Sequence, residues 1–120
     1  MADAQGNVKL ADFGYSAQLT TEREQRSSRV GTVCWMAPEL IKRQKRYDCK
    51  VDIWSTGIFA YELTNGDPPY IEESQSQIIL NIVRLEAPPI ADKWSPLFAD
   101  FVAKCLIKDP EKRPSAAELL

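Results

Sequence analysis

The 120-residue sequence predicts a mainly α-helical chain: a short β-hairpin, then a long polar segment, then about four helices. Two observations carry that prediction. Apolar residues recur at helical spacing in three separate stretches after residue 50, and helix-starting or helix-stopping residues bracket them. Between the hairpin and the first of those stretches, residues 15 to 33 are rich in Ser, Thr, Arg, Glu and Gln, show almost no apolar periodicity and contain no Gly or Pro before Gly31. A polar segment of that length inside a compact domain is unusual and is often functional.

The elements follow in order. Gln5-Gly6-Asn7 supplies turn residues, and Val8 and Leu10 alternate with Lys9 and Ala11 as a strand does. From Lys50 to Leu63, Val51, Trp54, Ile58 and Tyr61 form one stripe of a helix and Ile53, Gly57 and Ala60 another. A helix apolar on so much of its circumference is expected to be buried. Asn65-Gly66 provides a left-handed stop, and Asp67-Pro68-Pro69 prevents resumption. A second helix is expected over Ser74 to Leu85, with Ile78, Ile79, Ile82 and Val83 at amphipathic spacing and a polar opposite face. Ser95 caps a third helix with Pro96 at its first position, continued by Leu97, Phe98, Phe101, Val102 and Cys105 and stopped by Asp109-Pro110. The spacing in Ser115-Ala116-Ala117-Glu118 is that of a capping box, so a last helix begins there.

Composition narrows the function classes little. The chain is 44% hydrophobic and 27% charged with a net charge of −2, without the basic excess that favours nucleic acid or anionic lipid. Cys34, Cys49 and Cys105 are widely spaced and odd in number, and there is no histidine to complete a mixed zinc site. A reducing, cytoplasmic setting is expected. No apolar run approaches the roughly 18 residues of a membrane-spanning helix, and Met1-Ala2-Asp3-Ala4 lacks the order of a signal peptide.

Five signals fall in one order along the chain: Asp12-Phe13-Gly14 after the strand; Gly31-Thr32-Val33-Cys34-Trp35-Met36-Ala37-Pro38-Glu39; the acid Glu39 itself; Asp52-Ile53-Trp54-Ser55-Thr56-Gly57 in the long helix; and Arg113 within Asp109-Pro110-Glu111-Lys112-Arg113-Pro114. Each has a plain structural reading alone, since an acid, an aromatic and a glycine after a strand most often make a turn. Together the pattern resembles eukaryotic protein kinases from the metal-binding loop onward. The wording of Trp35-Met36-Ala37-Pro38-Glu39-Leu40-Ile41, Asp52-Ile53-Trp54-Ser55-Thr56-Gly57-Ile58 and Pro68-Pro69-Tyr70 is most similar to the sterile-twenty group of serine/threonine kinases.

The resemblance implies roles residue by residue, and it makes residues 1–120 a partial kinase domain, the C-terminal lobe from the metal-binding loop to the start of its last helix. Asp12 would ligate the Mg2+ that bridges the phosphates of ATP, because a hard cation takes carboxylate oxygen, with Phe13 and Gly14 as its structural neighbours. Thr32 would contact the catalytic aspartate and mark a serine/threonine kinase. Val33 and Cys34, where many members carry Pro-Tyr, would line the floor under the substrate peptide. Glu39 and Arg113 would form a buried bidentate ion pair that anchors a loop and performs no chemistry. Asp52, flanked by apolar residues, needs hydrogen-bond donors, which the family supplies from its catalytic loop. Ser28 stands four residues before Thr32, where relatives place the activating phosphoacceptor, with Ser27 the second choice and Arg23, Arg26 and Arg29 around them. Protein substrates, and an upstream kinase or the protein itself as activator, are the implied partners; neither nucleic acid nor membrane is.

Kinase chemistry also needs a glycine-rich phosphate loop, a lysine–glutamate pair and a catalytic loop with its base and second metal ligand. With no histidine there is no His-Arg-Asp loop, and glycines 6, 14, 31, 57 and 66 include no pair two residues apart. The chain alone is therefore expected to be inactive. It reads as a piece of an active kinase; the alternatives are a short non-catalytic interaction or interfering product acting through its peptide-docking surface and the helix around Ile78 to Val83, or a pseudokinase, against which the intact Asp12, Thr32, Glu39 and Arg113 argue.

Overall fold

The computed structural model describes residues 1–16, 33–42 and 48–120. Its helices are α1 (Pro38–Ile41), α2 (Lys50–Asn65), α3 (Gln75–Arg84), α4 (Pro96–Cys105) and α5 (Ala116–Leu119), preceded by two single 3-10 turns at Phe13–Tyr15 and Val33–Trp35. The mainly helical class read from the sequence is the class observed.

The predicted hairpin is present but short: Asp3 N donates to Asn7 O at 3.0 Å, Lys9 N to Met1 O at 2.9 Å and the Met1 amine to Lys9 O at 3.0 Å. Ala2 and Val8 form one isolated antiparallel bridge. The Asp3 carboxylate holds the loop by accepting from the amides of Gln5 at 3.0 Å and Asn7 at 2.8 Å, while Gly6 takes φ 82°. Val8 and Leu10 are 75% and 84% exposed, so no apolar face anchors a longer ladder.

Caps fix the helices where the sequence places them. Ser74 Oγ accepts from Gln77 N at 3.3 Å, Ser95 Oγ from Phe98 N at 3.2 Å and Ser115 Oγ from Glu118 N at 3.3 Å. The last is a full capping box, because the Glu118 carboxylate also accepts from Ser115 N at 2.7 Å. Gly66 ends α2 in the left-handed region at φ 90°, donating to Glu62 O at 2.8 Å. Helix α4 ends at Cys105, four residues before Asp109-Pro110, so the proline is not what stops it.

The core is built on α2 and α4. Trp54, Ile58 and Ala60 of α2 and Val102 and Leu106 at the end of α4 are buried, joined by Ile78 and Ile82 of α3, by Ile90 and by Cys34 and Ala37. Gly57 lets the two main helices approach: a Cβ there would lie 2.6 Å from Cys105 Cβ and 2.9 Å from Leu106 Cδ2, closer than such atoms come.

Two expectations of burial need correction. Helix α2 is not buried all round: Asp52, Thr56, Phe59 and Leu63, at positions i, i+4, i+7 and i+11, form one exposed stripe. Phe59 is 54% and Leu63 65% exposed, because no described element packs on that side. On α3, Ile79 and Leu80 are exposed while Asn81 is buried, its side-chain oxygen accepting from Gln77 Nε2 at 2.8 Å. The opposite face of α3 is thus partly apolar, not polar.

Candidate functional site

Asp12 sits at a corner. Its backbone is left-handed, φ 63° and ψ 62°, a region in which aspartate is among the better tolerated non-glycine residues, and it turns the chain into the 3-10 turn at Phe13–Tyr15. The corner leaves Asp12 at the surface, and among the described residues no hydrogen bond engages its carboxylate. No group of three or more metal-ligating side chains occurs among the described residues. Phe13 is 64% exposed.

The second cluster is the turn Val33–Trp35, fastened to α2 at two places. Ser55 Oγ donates to Trp35 O at 3.0 Å, and Trp35 Nε1 donates to Glu62 Oε2 at 3.1 Å. Ser55 and Glu62 are seven residues apart, two turns along one side of α2, so the rigid helix sets the tilt of the turn. Cys34 is only 4% exposed and contacts a hollow also lined by Trp54, Ile58, Tyr70 and Ile82. Burial pushes its thiol up, helped by the nearby Glu62 charge. The sequence reading placed Cys34 on the floor itself; it supports the turn from within the core, and Val33 and Trp35 are the half-exposed members. Sequence reasoning missed Ser55 and Glu62 as fasteners, although their seven-residue spacing beside Trp54 was visible.

Glu39 and Arg113, 74 residues apart, meet in the interior. Arg113 NH1 donates to Glu39 Oε1 at 2.7 Å and NH2 to Oε2 at 3.1 Å. The remaining donors reach Lys50 O at 2.6 Å, Ile107 O at 2.8 Å and Lys108 O at 3.4 Å, so all five N–H groups of a fully buried guanidinium have acceptors. The Arg113 carbonyl accepts in return from Lys50 Nζ. The guanidinium also lies 5.2 Å from the centre of the Trp54 ring, whose own Nε1 is buried with no partner among the described residues.

Asp52 departs from expectation in its surroundings. It is exposed on the uncovered stripe of α2, and no described donor reaches its carboxylate; Thr56 Oγ1 donates instead to the Asp52 carbonyl at 2.7 Å. Partial desolvation by the neighbouring chain still raises its carboxyl above the usual range. Gly31, Thr32, Ser27, Ser28, Arg23, Arg26 and Arg29 lie outside the described residues.

The family model for the protein kinase domain matches residues 1–120. The chain is 53% identical over 119 residues to the serine/threonine-protein kinase pakA of Dictyostelium discoideum, covering 98% of this chain and 10% of that protein. It is 51% identical to the serine/threonine-protein kinase dst1 of the same organism, covering 96% of this chain and 16% of the relative. Human myosin-IIIa is 47% identical over 97% of this chain and 8% of its own length. The chain thus spans no more than about a sixth of these relatives. With the left-handed aspartate, the fastened turn and the five-donor arginine in family order, the chain belongs to the protein kinase domain family, among the sterile-twenty-like serine/threonine kinases.

Proposed function

We propose that this chain supplies three parts of an ATP-dependent serine/threonine kinase, the magnesium aspartate, the phosphorylated switch segment and the substrate platform, and that by itself it transfers no phosphate. The observation that carries the reading is the turn Val33–Trp35 clamped to α2 by Ser55 and Glu62, a rigid seat immediately after Thr32. The donor set suits magnesium so far as it goes: Asp12 offers a hard carboxylate oxygen at the surface without a competing hydrogen bond among the described residues. Bound magnesium would neutralise charge on the ATP phosphates. The role of Asp12 is to hold that cation, that of Val33 and Trp35 to bear the peptide, and that of Glu39 and Arg113 to fix the platform from beneath.

The test is phosphoryl transfer from labelled ATP to a serine-containing protein substrate. We expect none from the 120-residue chain above a no-enzyme control, and a loss of about 10²-fold or more in the natural full-length protein carrying Asp12→Asn. Turnover by the isolated chain, or full activity of the variant, refutes the proposal. Within the same reading, Ser28 is the activating phosphoacceptor and Ser27 its alternate; peptide mapping of active enzyme that finds both unmodified rejects that assignment.

A further inference from the structure

A groove of about 480 Å³ runs between α4 and the extended segment that follows α3, away from every residue assigned a role above. Its floor is Val102 and Leu106 with the small side chains Ala99 and Ala103, and its opposite wall is Pro88-Pro89. Three carboxylates, Glu86, Asp92 and Asp100, line it, and no cation does. Asp100 is already held by Lys104 at 2.7 Å, whereas no hydrogen bond or ion pair among the described residues engages the carboxylates of Glu86 and Asp92. Lys108, which lies near Glu86, points its ammonium to Val83 O at 3.4 Å.

The wall has a second property. Among the described residues, no main-chain N–H or carbonyl from Ala87 to Ile90 makes a hydrogen bond; the neighbouring Glu86 carbonyl accepts from Tyr70 OH at 3.3 Å. Two prolines in succession hold that backbone extended at little entropic cost, with its acceptors unused. An apolar floor, unpaired acceptors along one wall and a rim that is net negative, with three carboxylates against the nearby Lys104 and Lys108, together describe the complement of one ligand class.

We infer that this groove docks an extended segment of a partner protein that carries an apolar side chain between flanking lysines or arginines. The apolar side chain fills the space above Ala99 and Ala103, and the cations face Glu86 and Asp92. Ala87 and Pro88 also line the hollow against Cys34, so a docked segment lies on the wall that backs the platform turn. The inference does not depend on phosphoryl transfer.

The test uses the natural full-length protein and two fluorescein-labelled hexapeptides, Arg-Lys-Leu-Ile-Arg-Lys and Glu-Asp-Leu-Ile-Glu-Asp, read by fluorescence anisotropy. Ala103→Arg fills the groove and adds a positive charge to it, and Asp92→Lys reverses charge at an exposed rim position. The basic peptide is expected to bind and to weaken about tenfold with either variant, with melting temperature unchanged for Asp92→Lys. Should Ala103→Arg lower the melting temperature, Asp92→Lys decides alone. Equal binding of the acidic peptide, absence of binding by the basic one, or basic-peptide binding that Asp92→Lys leaves unchanged overturns the inference.

Discussion

The Arg113 guanidinium donates to Glu39, Lys50, Ile107 and Lys108, acceptors on three separate stretches of chain, and a lysine in its place has only three donors on a flexible stem. Arg113→Lys therefore keeps the charge and loses the fork, leaving buried acceptors unpaired. We expect a loss of about 3–5 kcal/mol in urea unfolding of the full-length protein; a loss below about 1 kcal/mol would refute that account. Two carboxylates give opposite pH slopes. The Asp52 carboxyl is raised above 3.8 by desolvation, so its protonated form suits the fold, and its contribution is present below that value and declines as pH rises through the higher folded value. The Glu118 carboxyl is lowered from 4.5 by its bonds to Ser115, so its contribution is present above that value and is lost as pH falls through the lower folded one. In the 120-residue chain carrying Phe59→Ser and Leu63→Lys to suppress association, Asp52→Asn should raise the urea midpoint at neutral pH and Glu118→Gln should lower it, both differences shrinking as pH falls. Shifts of the same sign at neutral pH contradict this.

At the scale of elements, the α2–α4 crossing is the most sensitive joint. Gly57→Ala places a Cβ 2.6 Å from Cys105 Cβ, so the helices must separate even though alanine suits a helix better than glycine by about 1 kcal/mol. The expected net result is destabilisation of about 1–3 kcal/mol, checked by urea unfolding, and a more stable variant would show that the crossing yields freely. The helices themselves were legible because their signals are local: Ser95 with Pro96, Ser115 with Glu118, and Asn65 with Gly66 act within four residues of chain. The Glu39–Arg113 pairing was legible only through resemblance, since no local rule links positions 74 residues apart. What could not be read was sidedness. The exposure of Phe59 and Leu63, and the inward turn of Cys34, depend on which partners pack against a face, and hydropathy of the face alone does not say. Helix α1 was also missed: Pro38–Ile41 is one turn, too short for a periodic signal.

For the molecule as a whole, Phe59 and Leu63 are joined by Leu97 at 81% exposure, and such apolar surface on a small chain drives association. We predict that residues 1–120 expressed alone elute as oligomers or aggregate, and that Phe59→Ser with Leu63→Lys raises the monomer fraction by light scattering. A sharp, cooperative, monomeric melt of the unsubstituted chain would defeat the prediction. The five-donor arginine has one more consequence, set by the order of synthesis. Glu39 leaves the ribosome 74 residues ahead of Arg113, an interval of about 4–15 s at roughly 5–20 residues per second. Throughout that interval the acid cannot enter the interior, because an unpaired carboxylate there is too costly. A nascent chain stalled before position 113 thus carries Glu39 without the fork that holds it in the interior.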